Sequence, residues 1–105
     1  MFSFLKQNTK TVNVNEIDQL LGKIELIDIR EPYEYHTGAI QSAKNIPMDQ
    51  LLATPQKYIS KEKEYYIVCH SGGRSSMACN HLTKQGYQVI NVIGGVGSYQ
   101  GNNII

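Results

Sequence analysis

Cys69 ends the run "EYYIVC", and within the next five residues come His70, Ser71, the pair Gly72 and Gly73, and Arg74. A thiol in this setting can be more than an apolar filler. The glycines permit backbone conformations that strain other residues, so successive N–H groups can be turned toward one point. A helix starting just beyond them adds the positive end of its dipole there. Together these groups lower the pKa of Cys69 from the free value of about 8.5 and raise its thiolate fraction at neutral pH. Arg74 supplies a fixed positive charge at the rim. The competing interpretation is a buried cysteine at a strand end, with glycines that merely make a turn. A thiol, a glycine pair, an arginine and a helix start in one short stretch favour the reactive site.

Other residue types capable of chemistry are less organised. Cys79 lies on the helix after the loop, beside Ala78 and one turn before Leu82, a spacing that belongs to a core-facing stripe and not to a resolving thiol. No Cys/His grouping has the spacing of a zinc site. His36 and His81 read as surface or packing residues. The tyrosines at 33, 35, 65, 66 and 87 are scattered over several elements and form no stacking platform.

The elements that hold Cys69 in place follow from local patterns. The chain of 105 residues is expected to be one domain over 1–105, with a single modest core. "TVNV" (11–14) predicts a short strand, and Asn15 is expected to cap a helix carrying Ile17, Leu20 and Leu21. "IELIDI" (24–29) predicts a buried strand. "EPYEYHTG" starts with a proline suited to a first helical turn and ends at Gly38. A short strand in "AKNIP" and one or two helical turns in "MDQLLATPQKYI", broken at Pro55, come next. The strand "EYYIVC" leads through the loop to a helix reaching about Lys84, followed by the strand "QVINV" (88–92). The glycine-rich end, "GGVGSYQGNNII", predicts mostly irregular chain with a terminal turn. This alternation predicts an α/β fold around a mostly parallel sheet, whose ligands gather beyond the carboxyl ends of the strands. Cys69 falls at such an end.

Ten basic and nine acidic residues leave a formal net charge of +1, spread along the chain, so no block is basic enough for general nucleic-acid binding. The apolar stretch in "MFSFLKQNTK" is too short for a signal-peptide core, and no later run reaches membrane-spanning length. A cytoplasmic location and two reduced thiols are the expectation.

The ordered segments "VNVNEIDQLL", "LIDIREPYEYHTGAIQSAKNIP", "YYIVCHSGGRSS" and "GGVGSYQG" resemble the single-domain rhodaneses, sulfurtransferases of the rhodanese homology family. The resemblance implies a three-layer fold with a central five-stranded parallel sheet flanked by helices. It also implies a cysteine that alternates between thiolate and persulfide, with no metal or organic cofactor, since the cysteine carries the transferred atom. Cys69 matches the family's sulfur-accepting nucleophile, and His70, Ser71, Gly72, Gly73 and Arg74 match the loop that cradles its outer sulfur. The implied partners are a small sulfur donor such as thiosulfate or a low-molecular-weight persulfide and a thiol or cyanide-like acceptor, with a protein as a further acceptor. Asp28 and Arg30 match a strand-end pair near the loop: Arg30 to hold an anionic donor, Asp28 to anchor backbone. Otherwise the two form an ordinary solvated ion pair.

Four positions depart from the family pattern. Ala39 replaces a usual histidine and Ser42 a frequent glycine. Tyr99 replaces a usual tryptophan, keeping an aromatic plug with a polar tip. His70 stands where thiosulfate-using relatives often carry arginine, and a histidine, with an unperturbed pKa of about 6.5, attracts a dianion less at pH 7. Two other classes remain. Related phosphatases and arsenate reductases imply one more residue in the loop, whereas Cys69 and Arg74 enclose four. Noncatalytic modules of the family commonly lack the cysteine that this chain keeps.

Overall fold

The computed structural model describes residues 10–105; residues 1–9, most of the opening segment read above for a leader, lie outside the described residues. The strands are β1 (Lys10–Asn13), β2 (Glu25–Asp28), β3 (Lys44–Asn45), β4 (Glu64–Val68) and β5 (Gln88–Ile93). The helices are α1 (Pro32–His36), α2 (Met48–Ala53) and α3 (Gly73–Lys84), with single 3-10 turns between them. All five strands pair in parallel, in the order β1-β5-β4-β2-β3. Among the described residues no helix is long and apolar enough to cross a membrane.

Alternation along the central strands divides the core between the two faces of the sheet. Ile27, Tyr65, Ile67, Cys69 and Val89 face Ala78, Cys79 and Leu82 of α3 and Leu51 of α2. Leu26, Val68 and Val92 face the opposite way, against Val14, Ile17, Ile40 and Ala43. Residue 69 therefore points to the side on which α3 lies. The stripe read from Ala78, Cys79 and Leu82 is fully buried, while Met77 and His81 on the same helix are exposed.

One local expectation is corrected. The segment after β1 forms two 3-10 turns, Val14–Glu16 and Asp18–Leu20, and the cap is Asn13, whose side chain accepts the Asn15 N–H at 2.9 Å. Asn15 instead donates to the Ser98 carbonyl at 3.1 Å and accepts the Gln100 N–H at 2.7 Å. Its amide satisfies two backbone groups that are distant in sequence, which a helix cap there would leave unpaired. Elsewhere α1 starts at Pro32, and the Glu34 side chain reaches back to accept the Glu31 N–H at 3.0 Å, as in a capping box. The C-terminal stretch is tied down more firmly than its glycines suggest. It forms a 3-10 turn at Val96–Ser98, and Ile104 bridges Ile40 in antiparallel fashion.

Candidate active site

The strand order turns outward on either side of β2 and β4: β2 is followed by β3 on one side, and β4 by β5 on the other. The crevice beyond the carboxyl ends of β2 and β4 is thus the switch point, where an open parallel sheet leaves room for a ligand. The loop after β4 closes over this crevice.

Cys69 lies at its floor, 1% exposed, with its Sγ under the first turn of α3. Sγ accepts the Gly72 N–H at 3.1 Å and the Ser75 N–H at 3.3 Å, and the Ser75 hydroxyl oxygen stands 3.4 Å away. Gly72 makes this possible by taking φ +105°, a left-handed conformation that costs an L side chain energy, just where the loop enters the helix. Gly73 is different. It is the first residue of α3, and a methyl group there would meet nothing within 4 Å, so only one of the two glycines is conformationally required.

Burial alone pushes the Cys69 thiol up. The Ser75 hydroxyl, then the N–H groups of Ser75, Gly72 and Ser71, outweigh burial and hold the thiol below its ordinary value. Ser75 is itself fully buried, and its Oγ also reaches the Gly72 carbonyl at 3.1 Å and Oδ1 of buried Asn91 on β5. A hydroxyl has one proton and two lone pairs. When Cys69 is a thiol, its S–H donates to Ser75 Oγ and the serine proton goes to Asn91 or Gly72. When Cys69 is a thiolate, the serine proton turns to sulfur. Cys79 has no such donors, and burial, followed by the neighbouring Cys69 charge, pushes its thiol up to about 12.

The rest of the rim is set by two carboxylates. Arg74 Nη1 and Nη2 grip Glu34 Oε1 and Oε2 at 2.8 and 3.0 Å, and these bonds hold the Glu34 carboxyl at about 2 against its ordinary 4.5. Arg30 is 3% exposed, not solvated. It forks onto Asp28 at 2.8–3.0 Å and donates to the Gly38 carbonyl at 2.8 Å. This corrects the solvated alternative for the strand-end pair: both partners are buried, and the Arg30 guanidinium is engaged by Asp28 and the Gly38 carbonyl. Asp28 does anchor backbone, accepting the Arg30 N–H at 3.0 Å.

The glycine-rich loop after β5 forms the remaining wall. The carbonyls of Cys69 and His70 accept the N–H groups of Val96 and Gly97 at 2.9 and 2.8 Å. A Cβ on Gly95 would collide with both carbonyls, and one on Gly97 would lie 2.8 Å from the His70 ring, so this close approach needs glycine. His70 is exposed, and its ring lies against Gly97.

Residues 13–102 match the sequence model of the rhodanese-like domain. The chain belongs to this family. A sulfurtransferase of Allochromatium vinosum is 41% identical over 92 residues, spanning 79% of this chain and 85% of that one. A putative sulfurtransferase of Bacillus subtilis is 38% identical over 81 residues, covering 75% and 76% of the two chains. Among solved structures, a rhodanese-like domain protein of Staphylococcus aureus superposes with a TM-score of 0.82 at 29% identity, over 92% of this chain and 97% of that one.

Within this rhodanese-like domain, the structure brings together Cys69, Ser71, Gly72 and the start of α3, with Arg74 at the rim and Arg30 bonded to Asp28 in a buried pair. Sequence reasoning missed Ser75, Asn91 and Glu34. Ser75 lies inside the motif already singled out. Asn91 is a polar residue in an apolar strand, the kind of residue that is buried only with a partner. Glu34, three residues after Glu31 and two after Pro32, carries a helix-capping signal that does not reveal its second role.

Proposed function

We propose that the chain is a sulfurtransferase that carries a sulfane sulfur as a persulfide on Cys69. The observation that carries this reading is the ring of donors around one sulfur atom: two N–H groups at 3.1 and 3.3 Å and a serine hydroxyl at 3.4 Å. These groups stabilise an anionic sulfur and are already in place before it forms. The named activity of the Allochromatium and Bacillus relatives supports the same class.

In the first step, the Cys69 thiolate attacks the outer sulfur of a donor such as thiosulfate. A new S–S bond forms on Cys69, the donor's S–S bond breaks, and sulfite leaves with the electron pair. In the second step an acceptor nucleophile, a thiol or cyanide, attacks the outer sulfur and the Cys69 thiolate departs. A protein thiol serves as acceptor by the same displacement. The cysteine carries the transferred atom, so the reaction calls for no organic cofactor. Ser71, Gly72, Gly73 and Arg74 line the path of the outer sulfur, with His70 beside them. The low exposure of Cys69 favours a one-atom sulfane head over the three oxygens of a phosphoryl group. Two free thiols suit a reducing cytoplasm.

Intact-protein mass spectrometry after exposure to thiosulfate tests the proposal. One added sulfur is expected on the wild type, removable by cyanide, and none on a folded Cys69→Ser variant. Efficient aryl phosphate hydrolysis without any persulfide would falsify it.

A further inference from the structure

The expected site holds two arginines, and each is matched by a carboxylate. Arg30 is buried with Asp28, and its remaining reach goes to the Gly38 carbonyl. Arg74 immediately precedes Ser75, whose N–H touches Sγ, so its backbone belongs to the cradle. Its guanidinium faces sideways across the switch point and takes both oxygens of Glu34. Oε1 of Glu34 also accepts the Glu31 N–H at 3.0 Å. The cation at the rim is therefore already neutralised by a carboxylate that the helix holds in place.

Thiosulfate brings two negative charges to a thiolate that carries a third. The N–H groups at the start of α3 and its dipole, equivalent to about half a charge, offset one of these poorly and two worse. The reacting head of a low-molecular-weight persulfide brings one charge or none, and any other charges of the donor lie several bonds away from it. Cys69 bonds to its terminal sulfur, the S–S bond of the donor breaks, and the donor thiol leaves as a thiolate. We propose that Glu34 is a specificity-determining residue which, by engaging Arg74, turns the site toward persulfides of small thiols as donors and against the thiosulfate dianion. This rests on the sulfurtransferase reading above.

Glu34→Gln is the fitting variant, because glutamine keeps an oxygen to accept the Glu31 N–H while removing the charge that holds Arg74. Cys69 persulfide formation is followed by mass spectrometry in single turnovers at low ionic strength, with thiosulfate and with glutathione persulfide. The rate ratio of thiosulfate to glutathione persulfide is expected to rise about tenfold in E34Q, the scale of a freed cation acting on a dianion across a few ångströms of solvent. The double variant E34Q/R74Q should return the ratio to that of the wild type. An unchanged ratio in E34Q, or a gain that survives in the double variant, overturns the proposal. The wild type provides a measurement independent of any variant's folding: its thiosulfate rate should hold or rise with added salt, as repulsion is screened. A steep fall would reveal a free cation and equally overturn the idea. Failure of the parent reading looks different, since the wild type would then gain no sulfur from either donor.

Discussion

The Ser75 hydroxyl sits between Sγ of Cys69, the Gly72 carbonyl and Asn91 Oδ1, with one proton to share among them. Of the groups that lower the Cys69 thiol against the upward push of burial, this hydroxyl is the largest. Ser75→Ala keeps the N–H bond and loses the hydroxyl, so the thiol should titrate at higher pH. Alkylation by iodoacetamide, followed against pH, should show its midpoint moved upward and a several-fold slower reaction at pH 7, since only the thiolate attacks. An identical midpoint in the two proteins would mean that the backbone N–H groups alone set the nucleophile. Asn91 takes part in the same exchange from β5: it accepts the serine proton while Cys69 is a thiol and gives it up when the thiolate forms.

Among the elements, the connection from α1 to β3 carries the clearest local strain. Ser42 takes φ +76° with its side chain exposed, at the position where the family often has glycine. An L residue in the left-handed region costs about 1–2 kcal/mol, partly offset by the greater freedom of an unfolded glycine. Ser42→Gly should therefore stabilise the fold by about 0.5–1 kcal/mol, visible as a higher urea midpoint at unchanged slope. A lower midpoint would show that the serine side chain contributes more than its backbone conformation costs. Ala39, the other departure in this segment, is fully buried and exchanges backbone hydrogen bonds with Ile105 at 3.2 and 2.8 Å, so the turn is held by the C-terminal chain.

At the scale of the whole molecule, the Glu34–Arg74 pair joins α1 to α3 across the switch point, linking residues 40 positions apart. Glu34 ionises at about 2 in the folded chain against an ordinary 4.5. A depressed carboxylate contributes stability that is complete above its unfolded value and is lost as pH falls through its folded one. Thermal unfolding should therefore show wild-type stability dropping more steeply than that of Glu34→Gln between about pH 4.5 and pH 2. Asp18, also lowered by its bonds to Tyr99 and Asn103, is present in both proteins and cancels from the comparison. Parallel curves would mean that the pair contributes nothing to holding the two helices together.

Patterns a few residues long determined the strands, the helices and the loop that places Cys69. The short apolar-rich runs "IELIDI" and "EYYIVC" predict central strands, Pro32 starts α1, and the glycine after Ser71 opens the turn into α3. Each of these rests on backbone conformation or burial of neighbouring residues, which the sequence carries locally. Even there a rival partner could prevail: Asn13 caps the first turn because Asn15 is drawn to Ser98 and Gln100, more than 80 residues away. Only the tertiary structure decided which charges meet. Arg74 reads from sequence as a cation available to a donor, yet the fold brings Glu34 of α1 against it, and it buries the Asp28–Arg30 pair that the sequence allowed as a solvated one. A guanidinium's electrostatic effect depends on its nearest countercharge: for Arg74 that neighbour is set by how the chain is wound, whereas Asp28 lies two residues from Arg30 and the fold decides only that the pair is buried.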